Sequence, residues 1–156
     1  MQREKRTNSP FFVNILNMKS KITDFLANHL SPDLFVVKVS LSKNNNQVNV
    51  YLDGDYGVAV EECGKVSKKL EAFLDEQPSI PADYTLNVSS AGLNQPLQVL
   101  RQFKKNVNRN LKVSNQKTEK IGKLVFVDEN KIVLKVQKGE AISFDFNEIT
   151  EAKVEI

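Results

Sequence analysis

The stretch LNVSSAGLNQPL, Leu86 to Leu97, decides how the chain is read. Leu86 and Val88 alternate with polar residues as in a half-buried strand. Two serines, Ala-Gly, an uncharged Asn-Gln pair and Pro96 then bring that strand to an end. Helical and strand patterns alternate on its N-terminal side. On its C-terminal side, beyond one short helical run, everything reads as strand.

Working back, Tyr84, Leu86 and Val88 form one strand, and Pro78 and Pro81 separate it from a helix. Between Val58 and Gln77, the positions Ala59, Cys63, Val66, Leu70, Phe73 and Leu74 form an apolar helical stripe opposite Glu61, Lys65, Lys68, Lys69 and Glu76. Further back, Phe35, Val37, Val39 and Leu41 alternate, SKNNN turns the chain, and Val48, Val50 and Leu52 alternate again, which predicts a hairpin. Ile22, Phe25, Leu26 and Leu30 mark a first helix that Ser31-Pro32 ends. The order helix, strand, strand, helix, strand predicts an α+β domain over residues 18–97, its sheet covered by helices on one face. Residues 1–17 read as a flexible N-terminal tail. Their apolar piece is short and broken by Asn14 and Asn17, which suits neither an export signal nor a membrane span.

Working forward, QVLRQFKKN places Val99, Leu100 and Phe103 on one side of a short helix, so residues 98–106 are expected to be a linker or short helix, with the boundary between domains near Asn106. Leu111/Val113, Leu124/Phe126, Ile132/Leu134/Val136 and Ile142/Phe144/Phe146 follow, parted by NQKTEK, DEN and QKGE, and EAKVEI supplies a fifth strand. That spacing predicts a small all-β barrel over 107–156 with Phe126, Phe144 and Phe146 pointing inward.

The chain has 156 residues, 40% of them hydrophobic, enough for a core without staples. A single cysteine excludes an internal disulfide framework and a cysteine-based zinc cluster, so the expected compartment is reducing, with the cytoplasm as default. Net charge is +3, unevenly spread. From Asp53 to Asp83 eight carboxylates face three lysines, a net of −5. From Arg101 to Lys123 eight basic residues face Glu119 alone, a net of +7.

Few groups offer tunable protonation. His29, the sole histidine, sits near a helix end, where a capping or solvated role suits it. Cys63 lies on an apolar stripe and reads as a core thiol. Gly64-Lys65 lacks the glycine spacing and the Ser or Thr of a phosphate loop, and Asp53, Asp55, Glu61 and Glu62 do not follow the calcium-loop pattern. Ser89 and Ser90 lack the nucleophile-elbow motif and a base. No catalytic residue, metal site or cofactor is expected.

Two segments suit binding instead. In the loop Ser89, Ser90, Ala91, Gly92, Leu93, Asn94, Gln95, Pro96, Leu97, small residues let another backbone approach and Leu93 and Pro96 offer apolar anchors; a rigid linker explains it equally well. In the basic run, Lys104, Lys105, Arg109, Lys112, Lys117, Lys120 and Lys123 either keep strand edges soluble or face a polyanion. With the phenylalanines inward, any RNA contact is expected to be to phosphate and shape, without base stacking.

VYLDGD, then GVAVEECGKVSKKLEAFLD, then Tyr84 to Leu97, then RQFKKNVNRNLKV together closely resemble the ribosome maturation factor RimP family, over nearly the whole chain from Met18 onward. The resemblance implies a two-domain cytoplasmic assembly factor of bacteria, with a KH-like or ferredoxin-like α+β domain and an SH3-like barrel. It implies no enzyme. It further implies association with the free small (30S) ribosomal subunit, promotion of its maturation, and contact with a ribosomal protein near the decoding region, chiefly through the β domain.

The family's usual loop reads SSPGLDRPL, whereas Ala91, Asn94 and Gln95 stand here for proline, aspartate and arginine. Without that arginine the loop has no bidentate phosphate donor. Ala59 stands where the family often has a threonine N-cap, leaving Asp55 or solvent to serve the helix amides. The expected protein is a monomeric, non-catalytic factor that reaches rRNA through phosphate contacts and no membrane. A general RNA-binding or adaptor module is the alternative.

Overall fold

The computed structural model describes residues 10–92 and 95–155. The chain divides into two compact units between Ala91 and Gly92.

In the first unit, α1 (Pro10–His29) opens on a proline, whose fixed φ and missing N–H suit a first helical turn. It starts inside the segment expected to be a tail; the nine residues before it lie outside the described residues. Met18, Ile22 and Leu26, at four-residue spacing, are its buried stripe. A hairpin follows, β1 (Leu34–Leu41) antiparallel to β2 (Gln47–Gly54). In its turn Asn45 takes φ 57, a conformation asparagine tolerates, and its Nδ2 donates to the Ser79 carbonyl at 3.3 Å. At the far end of β2 only glycine fits: a Cβ on Gly54 would run into the Gly57 carbonyl, which lies one tight turn on.

The expected alternation in β1 fails at one point. A bulge between Val36 and Lys38 resets the phase, so Val36, and not Val37, packs against the core with Val39 and Leu41.

α2 (Val60–Asp75) buries Cys63, Val66, Leu70 and Leu74 and delivers the chain to β3 (Thr85–Ser90). β3 pairs parallel with β2, the neighbour relation that needs such a crossover, giving the sheet order β1-β2-β3. Met18, Ile22 and Leu26 meet Val48, Val50, Leu52, Leu70 and Leu74 in a single core. Each such fully buried side chain contributes about 1.5–3 kcal/mol. The predicted order of helices and strands is the observed one.

In the second unit, α3 (Leu100–Lys105) leads into β4 (Asn110–Ser114), β5 (Glu119–Val127), β6 (Lys131–Val136), β7 (Ala141–Asp145) and β8 (Glu151–Val154). The five strands are antiparallel in the order β7-β6-β5-β4-β8, with no closing pair between β7 and β8 among the described residues. Leu111, Val113, Leu124, Ile132, Leu134, Phe144 and Ala152 form the core.

Phe103 belongs to this same core, stacked edge-on against Phe146 at 5.1 Å. The short helix within residues 98–106 thus contributes to the second unit's core. Gln102 Oε1 accepts the Gln98 and Val99 N–H groups at 2.7 and 3.2 Å, and Asn106 Nδ2 donates to the Gln102 carbonyl at 2.7 Å.

A second bulge, between Leu124 and Phe126, overturns another expectation. Phe126 does not point inward; it is 45% exposed, because the extra residue, Val125, shifts it onto the outer face while Val127 returns to the core side.

Candidate functional site

Loop residues Ser89 and Ser90 end β3, opposite Tyr51 and Leu52, and Ala91 is buried with its N–H donating to the Leu52 carbonyl at 2.9 Å. Gly92 takes φ +77, a left-handed conformation glycine adopts without strain. Leu93 and Asn94 lie outside the described residues. Gln95 is exposed, Pro96 half-buried, and the Leu97 N–H donates to the Ala152 carbonyl of β8 at 2.7 Å. Pro96 and Leu97 border a cleft of about 470 Å³ in the second unit, floored by Leu100, Phe103, Phe146 and Ile149. The candidate loop thus has two parts: Ser89–Ala91 belong to the first unit and Gln95–Leu97 to the second.

The basic run is not one face. Lys104 and Lys105 lie in the last turn of α3, Arg109 in the turn before β4, and Lys117 in the β4–β5 turn, where its N–H donates to Asn115 Oδ1 at 2.8 Å. Lys120, in register with the buried Val113, alternates to the opposite side of the sheet from its neighbours. Only Lys112 and Lys123 share a face, the one turned away from Leu111, Val113 and Leu124.

Register adds lysines that a linear reading cannot see. Lys112 stands directly opposite Lys153 of β8, and Lys123 directly opposite Lys135 of β6. Ile121, which faces Lys112, is 50% exposed on the same side. Phe126 shares that side too, with Lys131 Nζ 6.0 Å from its ring centroid.

The remaining titratable candidates have structural surroundings. His29 stacks on Phe25 at 4.1 Å, and its Nδ1 donates to the Phe25 carbonyl at 2.7 Å. Burial, and then the neighbouring Glu62 charge, push the Cys63 thiol up, away from the nucleophilic thiolate. At the α2 N-terminus the partner shown is Glu62, whose Oε1 accepts the Ala59 N–H at 3.0 Å. Among the described residues, no group of His, Cys, Asp and Glu is arranged to hold a metal ion, and no helix is long and apolar enough to cross a membrane.

An α/β unit followed by an antiparallel unit with a lysine-bearing sheet face defines a class: a two-module chain of an α/β and an all-strand sheet unit. The comparisons give the family. Residues 22–94 match the RimP N-terminal domain. The ribosome maturation factor RimP of Christiangramia forsetii is 33% identical over 136 residues, 79% of this chain and 86% of that protein. The one from Flavobacterium psychrophilum is 35% identical over 97 residues, 61% of this chain and 60% of that protein. The chain belongs to the ribosome maturation factor RimP family.

Proposed function

We propose that this protein is a non-catalytic ribosome assembly factor that binds the free small (30S) ribosomal subunit in the cytoplasm and promotes its maturation. The observation that carries this reading is the relative named a ribosome maturation factor, matched across 86% of its length. In this reading the first unit is a KH-like or ferredoxin-like domain, and the second acts as an SH3-like small barrel that contacts a ribosomal protein near the decoding region. The cleft beside Pro96 and Leu97, where Leu100, Phe103 and Phe146 meet Gln98, Glu129 and Thr150, suits such a protein contact. Lysines of the second unit supply salt-sensitive attraction to rRNA phosphates. The protein acts as a monomer, without a cofactor.

The test is gradient sedimentation of the tagged protein in lysate at near-physiological salt, probing small-subunit, large-subunit and joined-ribosome fractions. Comigration with free small subunits alone is the expected result, and absence from all ribosomal fractions overturns it. Gly92→Trp forces a bulky side chain onto φ +77 beside the loop and is expected to weaken comigration while circular dichroism shows both units folded.

A further inference from the structure

We propose that the outer face of the second unit's sheet is a binding site for single-stranded RNA, in which Phe126 stacks on an unpaired base while Lys112, Lys123, Lys135 and Lys153 hold the neighbouring phosphates. The inference goes beyond the proposed function and does not depend on it, because it concerns free RNA strands of any origin.

The strand register makes the site. Since Leu111, Val113, Leu124, Ile132, Leu134 and Ala152 point into the core, the residues between them point out. Two cross-strand pairs on that outer face are lysine against lysine, Lys112 with Lys153 and Lys123 with Lys135. Like charges directly opposite destabilise a sheet, so this arrangement works against folding, and a bound polyanion relieves it. The carboxylates of the face lie at its margins. Glu119 and Glu151 are level with Ser114 at one end, Asp145 faces Lys131 on the edge strand β7, and Glu151 and Glu155 stand two residues either side of Lys153 along the line of the edge strand β8.

Phe126 turns a basic face into one suited to nucleic acid. The bulge at Val125 brings the ring out to 45% exposure, opposite Val133 and on the same face as Lys123 and Lys135. Ile121, 50% exposed, and Val125, 40% exposed, extend the apolar surface. An aromatic ring among lysines matches a base beside its phosphates, and base–aromatic stacking tolerates any sequence. In a duplex the base faces are already stacked, so the ring selects an unpaired strand. Lys131 Nζ lies over the same ring, 6.0 Å from its centroid, and is placed to move onto an adjoining phosphate as a base stacks there.

The experiment is fluorescence anisotropy of the purified full chain with a labelled oligouridylate, a blunt RNA duplex of equal length, and unlabelled polyglutamate as competitor. The single strand is expected to bind more tightly than the duplex. Phe126→Ala is expected to weaken it about tenfold, the effect of losing one stacked base, and Phe126→Trp to retain it. The double variant Lys123→Ala with Lys135→Ala is expected to flatten the log–log salt slope by about 1.4, two phosphate contacts at about 0.7 each. Phe126 lies outside the second unit's core cluster, and circular dichroism of each variant verifies the fold. Equal affinity for strand and duplex, or unchanged strand affinity in Phe126→Ala, overturns the proposal. So does polyglutamate competing as well as RNA, which would assign the face to an acidic protein. The assay contains no ribosomal subunit, so its failure leaves the sedimentation result standing.

Discussion

At the scale of single residues, Tyr84 and Asp128 show how local partners set protonation. Burial first, then the hydrogen bond to Asp75 and the charges of Asp75 and Glu71, push the Tyr84 hydroxyl up to about 12. The Tyr84 Oη donates to Asp75 Oδ1 at 3.0 Å, a bond that joins α2 to the start of β3. The folded state therefore holds this proton more tightly than the unfolded chain does. The stability it adds is fully present below the ordinary tyrosine value of 10.0 and is lost as pH rises toward about 12. Absorbance titration of the phenolate should show a late step near pH 12 that Tyr84→Phe abolishes. Asp128 moves the other way. The N–H groups of Asn130 and Lys131 donate to its Oδ1 at 2.8 and 2.9 Å and hold its carboxyl below the usual aspartate range. Its contribution to the β5–β6 turn is present above that range and fades as pH falls through it.

At the scale of elements, bulges decide which side chains meet the core and which meet solvent. A strand has a period of two, so one extra residue exchanges its faces from that point on. In β1 this puts Val36 against the core in place of Val37, and Val36→Ala should lower the chemical-denaturation midpoint more than Val37→Ala. The reverse ranking would place the bulge elsewhere. In β5 the same device exposes Phe126. Across β5 and β6 the Lys123–Lys135 opposition predicts that Lys135→Thr stabilises the unit, by about 0.2–1 kcal/mol in denaturant titration. A loss of stability would show that the two ammonium groups avoid each other. The helices were legible because their stripes contain no such interruption: Ile22 and Leu26, and Cys63, Val66, Leu70 and Leu74, are buried as their spacing requires.

At the scale of the whole molecule, each unit holds its own closed set of apolar contacts, one from Met18 to Ile80 and one from Phe103 to Ala152. Residues 1–91 and 92–156, expressed separately, should each give a dispersed amide spectrum. A second unit begun at residue 107 should not, because it lacks Phe103, Leu97 and the Gln102 bonds. The alternation of helical and strand periods and the family resemblance were both in the sequence, since each rests on residues close together in the chain. Strand pairing was not. A run of lysines along the chain suggested one basic face, but alternation sends Lys120 to the other side, and hydrogen-bonded register brings in Lys135 and Lys153 from β6 and β8. Tertiary structure alone made those decisions, because register and bulge are fixed by which backbone groups pair across strands and by which side chains fill the core.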